Sequence, residues 1–555
     1  MNNKQSQDKP RRLMYHRDLS CWEWLQTPLK VEDFIGDFVG RIAGTQVDTF
    51  VLHMHYNLYP SRLTVEEYAS ENDTPVGVVG AHATWGSEEG LTASSWRLLE
   101  NSKALWRMNV DPVATLIDAG HEVGIDFFGG IRMNDCHHAQ WSWHPKFWID
   151  HPEFRIGDHP EYHYPRPGFR EPEGGAFGSQ IDDRVPACLD YMHQEVRDYY
   201  LAMIEEAARV YDVQGIELDF TRHPFFFKPS EVEAGTDKMT ELLAAVRDRL
   251  HTISEEKGQE IVLDAKVPPT IEACEAIGLD VRRWLGEGLV DIMVVGPLWH
   301  PDFNLPIEDF VEAAEGSGAK IFASFELAEI PALENAEATA KVIRSSALAY
   351  WKAGAAGMHV FNSHVMTHYL RQEMPFLKDI GDPHLLEYCD KHYLATRASN
   401  YDNVVKFSYP KELPVTLVES PTGEGQKVHL KIGDDLEKAA RLGITADARL
   451  RLRVVNLTTP DEIEFKFNGI TLDPDDCERT FFPMGESQGL RQYSFLAEAY
   501  YGLEGPYHWL EFKLAGETLP RLGVNEVEVI LRKRNPEVAE GVVLNDVELT
   551  IDYSQ

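Results

Sequence analysis

The chain is 555 residues long, with 43% hydrophobic, 11% aromatic and 26% charged residues. At roughly 100–200 residues per domain, that length excludes a peptide hormone or a single small binding module, and the composition is that of a globular protein with a large core. Fifty-three basic against 90 acidic residues give a net charge of −37, which excludes recognition of a phosphate backbone or an anionic membrane by charge, since no basic patch offsets it.

The N-terminal stretch has no apolar h-region, and no run reaches the ~18–20 apolar residues needed to span a bilayer. Cys21, Cys136, Cys188, Cys274, Cys389 and Cys477 stand far apart, with no CxxC pair and no zinc-type spacing, and read as free thiols of a reducing compartment. The expectation is a cytoplasmic protein with no nucleic-acid or membrane partner. From about residue 45 to 365, short β-branched or apolar runs alternate with amphipathic stretches, the rhythm of βα units. Strands are predicted over 49–53 (TFVLH), 76–80 (VGVVG), 122–128 (EVGIDFF), 215–220 (GIELDF), 261–265 (IVLDA), 291–295 (DIMVV), 320–324 (KIFAS) and 357–361 (GMHVF). Helices are predicted over 112–119, 195–211, 238–257, 307–314 and 336–353. This is the pattern of an α/β fold of the (β/α)8 TIM-barrel type.

Two stretches interrupt the rhythm. Gly129-Gly130 after the third strand reads as a turn that lets backbone approach a ligand. The long stretch 135–186, crowded with His, Trp, Tyr, Pro and Gly, is placed to roof the C-terminal face, where barrel active sites lie. Its aromatics, Trp141, Trp143, Trp148, Tyr162 and Tyr164, serve either to stack on sugar faces or to hold the loop together. After the last strand a helical cap is predicted over 375–395. From about residue 401 the runs 448–455, 462–467, 525–532 and 546–551 alternate at period two, with an Asn468-Gly469 turn signal between them, and predict an antiparallel β-sandwich. The expected division is a barrel over 1–400 and a sandwich over 401–555. The sandwich would act as a buttress, a contact in a homo-oligomer, or a polysaccharide-binding module.

The sharpest chemical signal is Gly215-Ile216-Glu217-Leu218-Asp219-Phe220-Thr221-Arg222-His223-Pro224. Side chains alternate along a strand, so with Ile216, Leu218 and Phe220 toward the helices, Glu217 and Asp219 point into the barrel, Asp219 nearer its top. Two buried carboxylates cost several kcal/mol unless they are paired or put to work. Arg222 can neutralise one of them.

The sequence Leu189-Asp190-Tyr191, then Glu195-Val196-Arg197-Asp198-Tyr199 and Tyr211-Asp212-Val213-Gln214-Gly215-Ile216-Glu217-Leu218-Asp219, resembles the bacterial family-ten-like glycosyl hydrolases over residues 185–225. The Arg222-His223-Pro224 ending matches as well. Glu217 stands where that family has His or Arg before the aspartate, and its usual aromatic after the aspartate is here Phe220, followed by Thr221. The resemblance implies a (β/α)8 glycosidase with a carbohydrate substrate, in which Asp219 acts at the anomeric carbon. Glycoside cleavage needs a second carboxyl group, about 5–5.5 Å away for retention or 6.5–9.5 Å for inversion. Glu326, just beyond the seventh strand, is the first choice, with Asp264 and Asp135 as competitors. Asp264 is otherwise expected to pair with Lys266 or to orient a sugar hydroxyl.

Histidines gather at predicted strand ends: His53 and His55, with Tyr56, after the first, His137 and His138 after the third, His223 after the fourth, His300 after the sixth, and His359 and His364 around the eighth. Imidazoles and amides suit sugar hydroxyls, and Trp299 offers a stacking face. Substrate positioning is therefore expected from His53, His55, Tyr56, Arg132, Asn134, Asp135, His137, Glu217, Arg222, Asp264, Trp299, His300, Asn362 and His364, with no cofactor and no metal. Two alternatives stay open. His53-x-His55 on a first strand is how metal-dependent amidohydrolase barrels hold zinc, and a degenerate barrel can bind glycan without cleaving it.

Overall fold

The structure is a computed structural model, and it describes residues 11–18, 25–54, 63, 93–135, 146–159, 185–297, 301–327, 335–363, 373–397, 411–483 and 506–554. Eight parallel strands close a barrel in chain order: β1 (Leu13–Asp18), β2 (Thr49–His53), β3 (Asp126–Arg132), β4 (Gly215–Asp219), β5 (Val262–Val267), β6 (Ile292–Val295), β7 (Lys320–Glu326) and β8 (Gly357–Phe361). β8 returns to β1, with Leu13 paired to Met358 and Tyr15 to Val360. The fold is a TIM barrel followed by an antiparallel β-sandwich.

Two strands correct the sequence expectation. The first barrel strand is Leu13–Asp18, which makes Thr49–His53 the second. Leu-Met-Tyr-His-Arg-Asp does alternate, with Leu13 and Tyr15 in the outer core and Met14 inside the barrel, but three of its six side chains are polar or charged, so it lacks the apolar run of a buried strand. The expectation at 76–80 lies outside the described residues, and the barrel closes without it. β3 begins at Asp126 because the helix Pro112–Glu122 runs on until Gly124, at φ +77, turns the chain. Gly129 and Gly130, expected as a turn, thus lie inside β3. There they save space: a Cβ on Gly130 would stand 3.3 Å from Val51 Cγ1.

The barrel is a packed core. Met14, Val51, Phe128, Val262, Ile292, Val294 and Phe322 form an apolar floor inside it. Phe128 and Phe322 fit because Gly215 and Gly357 carry no side chain; a Cβ there would lie 2.5 Å and 2.2 Å from the two rings. The alternate residues, among them Phe127, Ile216, Leu218, Leu263 and Ile321, pack outward against the helices. These include Gln194–Val210, Val232–Lys257, Ile307–Ala313 and Ala336–Lys352, close to the sequence expectation. Asp111 accepts hydrogen bonds from the amides of Val113 and Ala114 at one helix start, and Asn335 does the same for Glu337 and Ala338 at another, so the expected boundaries coincide with real caps.

In the second domain a six-stranded sheet and a four-stranded sheet share one core. The alternation at 448–455 belongs to Thr445–Val455, with Ala448, Leu450, Leu452 and Val454 in that core. Arg449, Arg451 and Arg453 on its other face pair with acidic side chains of neighbouring strands. Asn468 and Gly469, at φ +50 and +80, join Glu462–Phe467 to Ile470–Thr471, matching the two left-handed residues that a tight hairpin demands. The expected cap at 375–395 is helical only over Pro375–Lys378 and Pro383–Leu386; Lys391–Leu394 is a strand on Val543–Ser554. It is drawn there because Tyr393 joins the sandwich core while the Tyr393 hydroxyl and the Lys391 ammonium converge on Asp434, at 2.6 and 2.9 Å. Among the described residues no helix is long and apolar enough to cross a membrane.

Candidate active site

Alternation along the strands turns a column of polar side chains into the barrel above its apolar floor. The lower part holds His16, Glu217, Asp264, Ser324 and His359, all buried. Glu217 on β4 and Asp264 on β5 are direct register partners, and two residues further on so are Asp219 and Lys266. Asp219 and Lys266 therefore stand about 6–7 Å nearer the C-terminal face than the pair below them.

Asp219 has two unlike oxygens. Oδ1 accepts from the Thr221 amide at 2.8 Å and the Thr221 hydroxyl at 2.6 Å, and lies 3.6 Å from Lys266 Nζ. Lys266 also donates to the Thr221 hydroxyl and sits over the Phe361 ring at 3.9 Å. Among the described residues none donates a hydrogen bond to Oδ2. Burial alone would push this carboxyl up, but Lys266, its register neighbour Arg132 and the Thr221 donors outweigh burial and hold it below the ordinary aspartate range. Asp219 is thus a charged, desolvated carboxylate with one oxygen uncommitted. Sequence reasoning assigned Lys266 to Asp264; register gives it to Asp219.

Glu326 ends β7, buried, with the Asn362 amide donating to both of its oxygens at 2.9 and 3.0 Å. Asn362 holds φ +51, and His223, buried after β4, holds φ +50. Both follow barrel strands at this face. Arg132 donates to Asp18 at 2.7 Å and Asp135 at 2.9 Å, while His223 Nδ1 lies 3.8 Å from Asp135. Burial drives His16 well below an ordinary histidine, against the pull of Asp18, and its neutral ring stacks on Phe361 at 4.2 Å and lies 6.4 Å from His53.

The structure therefore brings Asp219, Glu326, His53, Arg132, Asp135 and Asn362 to the ends of the strands, with the half-buried Arg222 just beyond β4. Asn134, Glu217 and Asp264, expected to position a sugar, and Trp148, offered as a stacking face, are placed otherwise. Asn134 donates to the carbonyls of Leu189 and Phe225 at 2.9 and 2.7 Å and accepts from the Leu189 amide at 3.1 Å, bracketing three loops together. Glu217 and Asp264 are fully buried beneath Asp219 and Lys266, too deep for a sugar at the mouth. Trp148 donates its indole N–H to Ala187 O at 2.9 Å, and the Arg155 guanidinium covers its ring at 3.3 Å, so this aromatic holds its loop. His55, Tyr56, His137, Trp299, His300 and His364 lie outside the described residues, as do His138, Trp141, Trp143, Tyr162 and Tyr164.

Four residues of the site escaped sequence reasoning. His16 and Asp18 went with the unrecognised β1. Thr221 was passed over between Asp219 and Arg222, although a threonine two residues after a carboxylate is placed to donate back to it. Ser324, 3.0 Å from His359 Nδ1, left no local signal. The amidohydrolase alternative required its histidine pair on a first strand; His53 is on the second. Among the described residues no group of three His, Cys, Asp or Glu side chains is arranged to hold a metal ion.

No family model matches the chain, and no curated protein does. Among solved structures the chain is similar to the endo-beta-1,4-mannanase from Thermotoga petrophila, at 9% identity over 98% of each chain with a TM-score of 0.40. It is similar to the PgaB (BpsB) glycoside hydrolase domain from Bordetella bronchiseptica, at 10% identity over 68% of this chain and 99% of that one, TM-score 0.37. A cycloisomaltooligosaccharide glucanotransferase from a Paenibacillus species matches at 8% identity over 97% of this chain, TM-score 0.33, and this chain spans 57% of its length. At those identities and scores, the site stands on its own geometry.

Proposed function

We propose that the protein is a glycoside hydrolase that cleaves a polysaccharide or oligosaccharide at the C-terminal face of its barrel, with Asp219 as nucleophile and Glu326 as acid and base. The observation that carries this reading is the asymmetry of Asp219: Oδ1 is saturated by Thr221 and Lys266, Oδ2 accepts nothing from the described residues, and the charged form is favoured despite burial. Leaving a buried acceptor unused costs about 1–3 kcal/mol, and attack on an anomeric carbon uses such an oxygen. The resemblance of residues 185–225 to the family-ten-like glycosyl hydrolases points the same way.

In the retaining course, Asp219 Oδ2 forms a bond to the anomeric carbon as the glycosidic C–O bond breaks, and Glu326 gives its proton to the departing oxygen. Glu326 then takes a proton from water, whose oxygen attacks the anomeric carbon and releases Asp219. Asn362 fixes the plane of the Glu326 carboxyl. Arg132, fixed by Asp18 and Asp135, keeps a positive charge beside Asp219, and His53 and Arg222 are placed to meet hydroxyl groups. A panel of aryl glycosides and polysaccharides, uronic and sulfated ones included, tests the activity. Asp219→Asn should lose turnover by about 10³-fold or more in protein that circular dichroism shows to be folded, at a stability lowered by the loss of the charge that faces Lys266; turnover kept near wild type would remove Asp219 from the mechanism.

A further inference from the structure

Glu217 and Asp264 are two carboxyl groups on adjacent strands, in register, fully buried. Among the described residues none gives any of their four oxygens a well-aligned hydrogen bond. His359 Nε2 lies 3.0 Å from Glu217 Oε2, bent away from a linear bond. On the other side of that ring, Ser324 Oγ lies 3.0 Å from Nδ1. A chain of polar groups thus crosses the barrel from β5 to β4, β8 and β7. Two bare charges side by side without water are prohibitive, so such a pair holds a proton between its members.

We infer that Glu217 and Asp264 are positioning residues for Asp219: they share one proton, so the layer beneath Lys266 carries a single negative charge and the ammonium stays with Asp219 and Thr221. Burial first, and the negative charge and hydrogen bond of Glu217 second, push the Asp264 carboxyl well above the ordinary aspartate range, so Asp264 is the member that holds the proton. The charged groups facing it are Glu217 and Asp219 from β4 and Lys266 from β5, and Lys266 acts on the upper and the lower carboxylates alike. His359 faces the pair from β8; β6 presents only Ile292 and Val294. When alkali removes the shared proton, a second negative charge appears beneath Lys266 and draws it down, and Asp219 loses the partner that keeps it charged and aimed. The pair therefore sets the alkaline limit of turnover. The inference rests on Asp219 being the nucleophile.

The experiment is the pH dependence of kcat and KM on an activated aryl glycoside, for wild type, D264N and E217Q, together with infrared difference spectra near neutral pH. Neither variant can place two negative charges in the layer. The expected result is an alkaline limb of kcat displaced upward by about one pH unit or more, with KM unmoved, and a protonated-carboxyl band of the wild type lost in both variants. A limb at the wild-type pH in both variants overturns the positioning role, and a carboxyl band that survives both overturns the shared proton. Should D264N fail to fold, E217Q carries the same comparison. The infrared result needs no turnover, so a shared proton in a protein that cleaves no glycoside of the panel would refute the glycosidase reading, and the catalytic role with it, while leaving the pair itself established.

Discussion

At the scale of single residues, the site is governed by which cation stands beside which acid. Lys266 and Asp219 are both almost fully buried, and breaking a buried pair by removing one member costs about 3–5 kcal/mol. Lys266→Met should therefore lower stability by that order, as read by urea unfolding. It should also move the acid limb of kcat/KM toward higher pH, because the chief influence that keeps Asp219 charged against burial is gone; a limb that stays in place would show that Asp219 does not depend on Lys266. Much of this was open to sequence reasoning and some was not. That Glu217 and Asp219 face inward follows from period two along one short strand, a local property. That Lys266 serves Asp219 rather than its strand-mate Asp264 depends on the register between two strands separated by a long helix, which no local pattern records. Likewise the bracket made by Asn134 depends on where two distant loops pass.

At the scale of elements, strands were legible when their outward positions kept an apolar alternation and illegible where polar and charged residues ran consecutively. β4 to β8 were found because runs such as IELD and GMHVF keep apolar residues at alternate positions. β1 was missed for the opposite reason: His16 and Asp18 face the polar column, and Arg17 between them turns outward to Asp37 and the Phe38 ring, so the end of the run looks like surface. The floor of the barrel carries its own test. Gly357→Ala would put a methyl group 2.2 Å from the Phe322 ring, where the ring is locked among Met14, Val51 and Val294. Overpacking of this kind costs at least about 1–3 kcal/mol, so the variant should unfold at lower urea or temperature; a neutral result would mean that the floor yields. Glycines in these strands read from sequence as turns or punctuation, yet at Gly130, Gly215 and Gly357 they mark the places where a neighbouring side chain occupies the barrel axis.

At the scale of the molecule, the shifted carboxyls bound stability on both sides. Asp264 holds its proton more tightly folded than unfolded, so its contribution is complete below the ordinary aspartate range and is lost as pH rises through its raised value. Asp219, Asp461 and Glu548 are lowered despite burial, so theirs is present above the ordinary carboxylate range and is lost as pH falls. Unfolding free energy measured by urea across pH should form a dome, and D264N should flatten its alkaline side only. A dome unchanged in D264N would place the alkaline loss elsewhere.

The helix Ala336–Lys352 links the strand that ends in Glu326 to the strand that precedes Asn362. The sandwich leans on this helix. Ser345 donates to His392 O at 2.8 Å, Lys341 reaches Asp552 at 2.8 Å, and Gly433 comes so near that a Cβ there would stand 2.7 Å from Ala349 N. One carboxyl of the proposed pair is thus clamped from outside by a second domain, while the other depends on the barrel's own interior. A disturbance that begins in the sandwich would reach the helix between Glu326 and Asn362 before it reached Asp219 on β4, so on the proposed mechanism the acid–base residue and the nucleophile would have separate mechanical anchors.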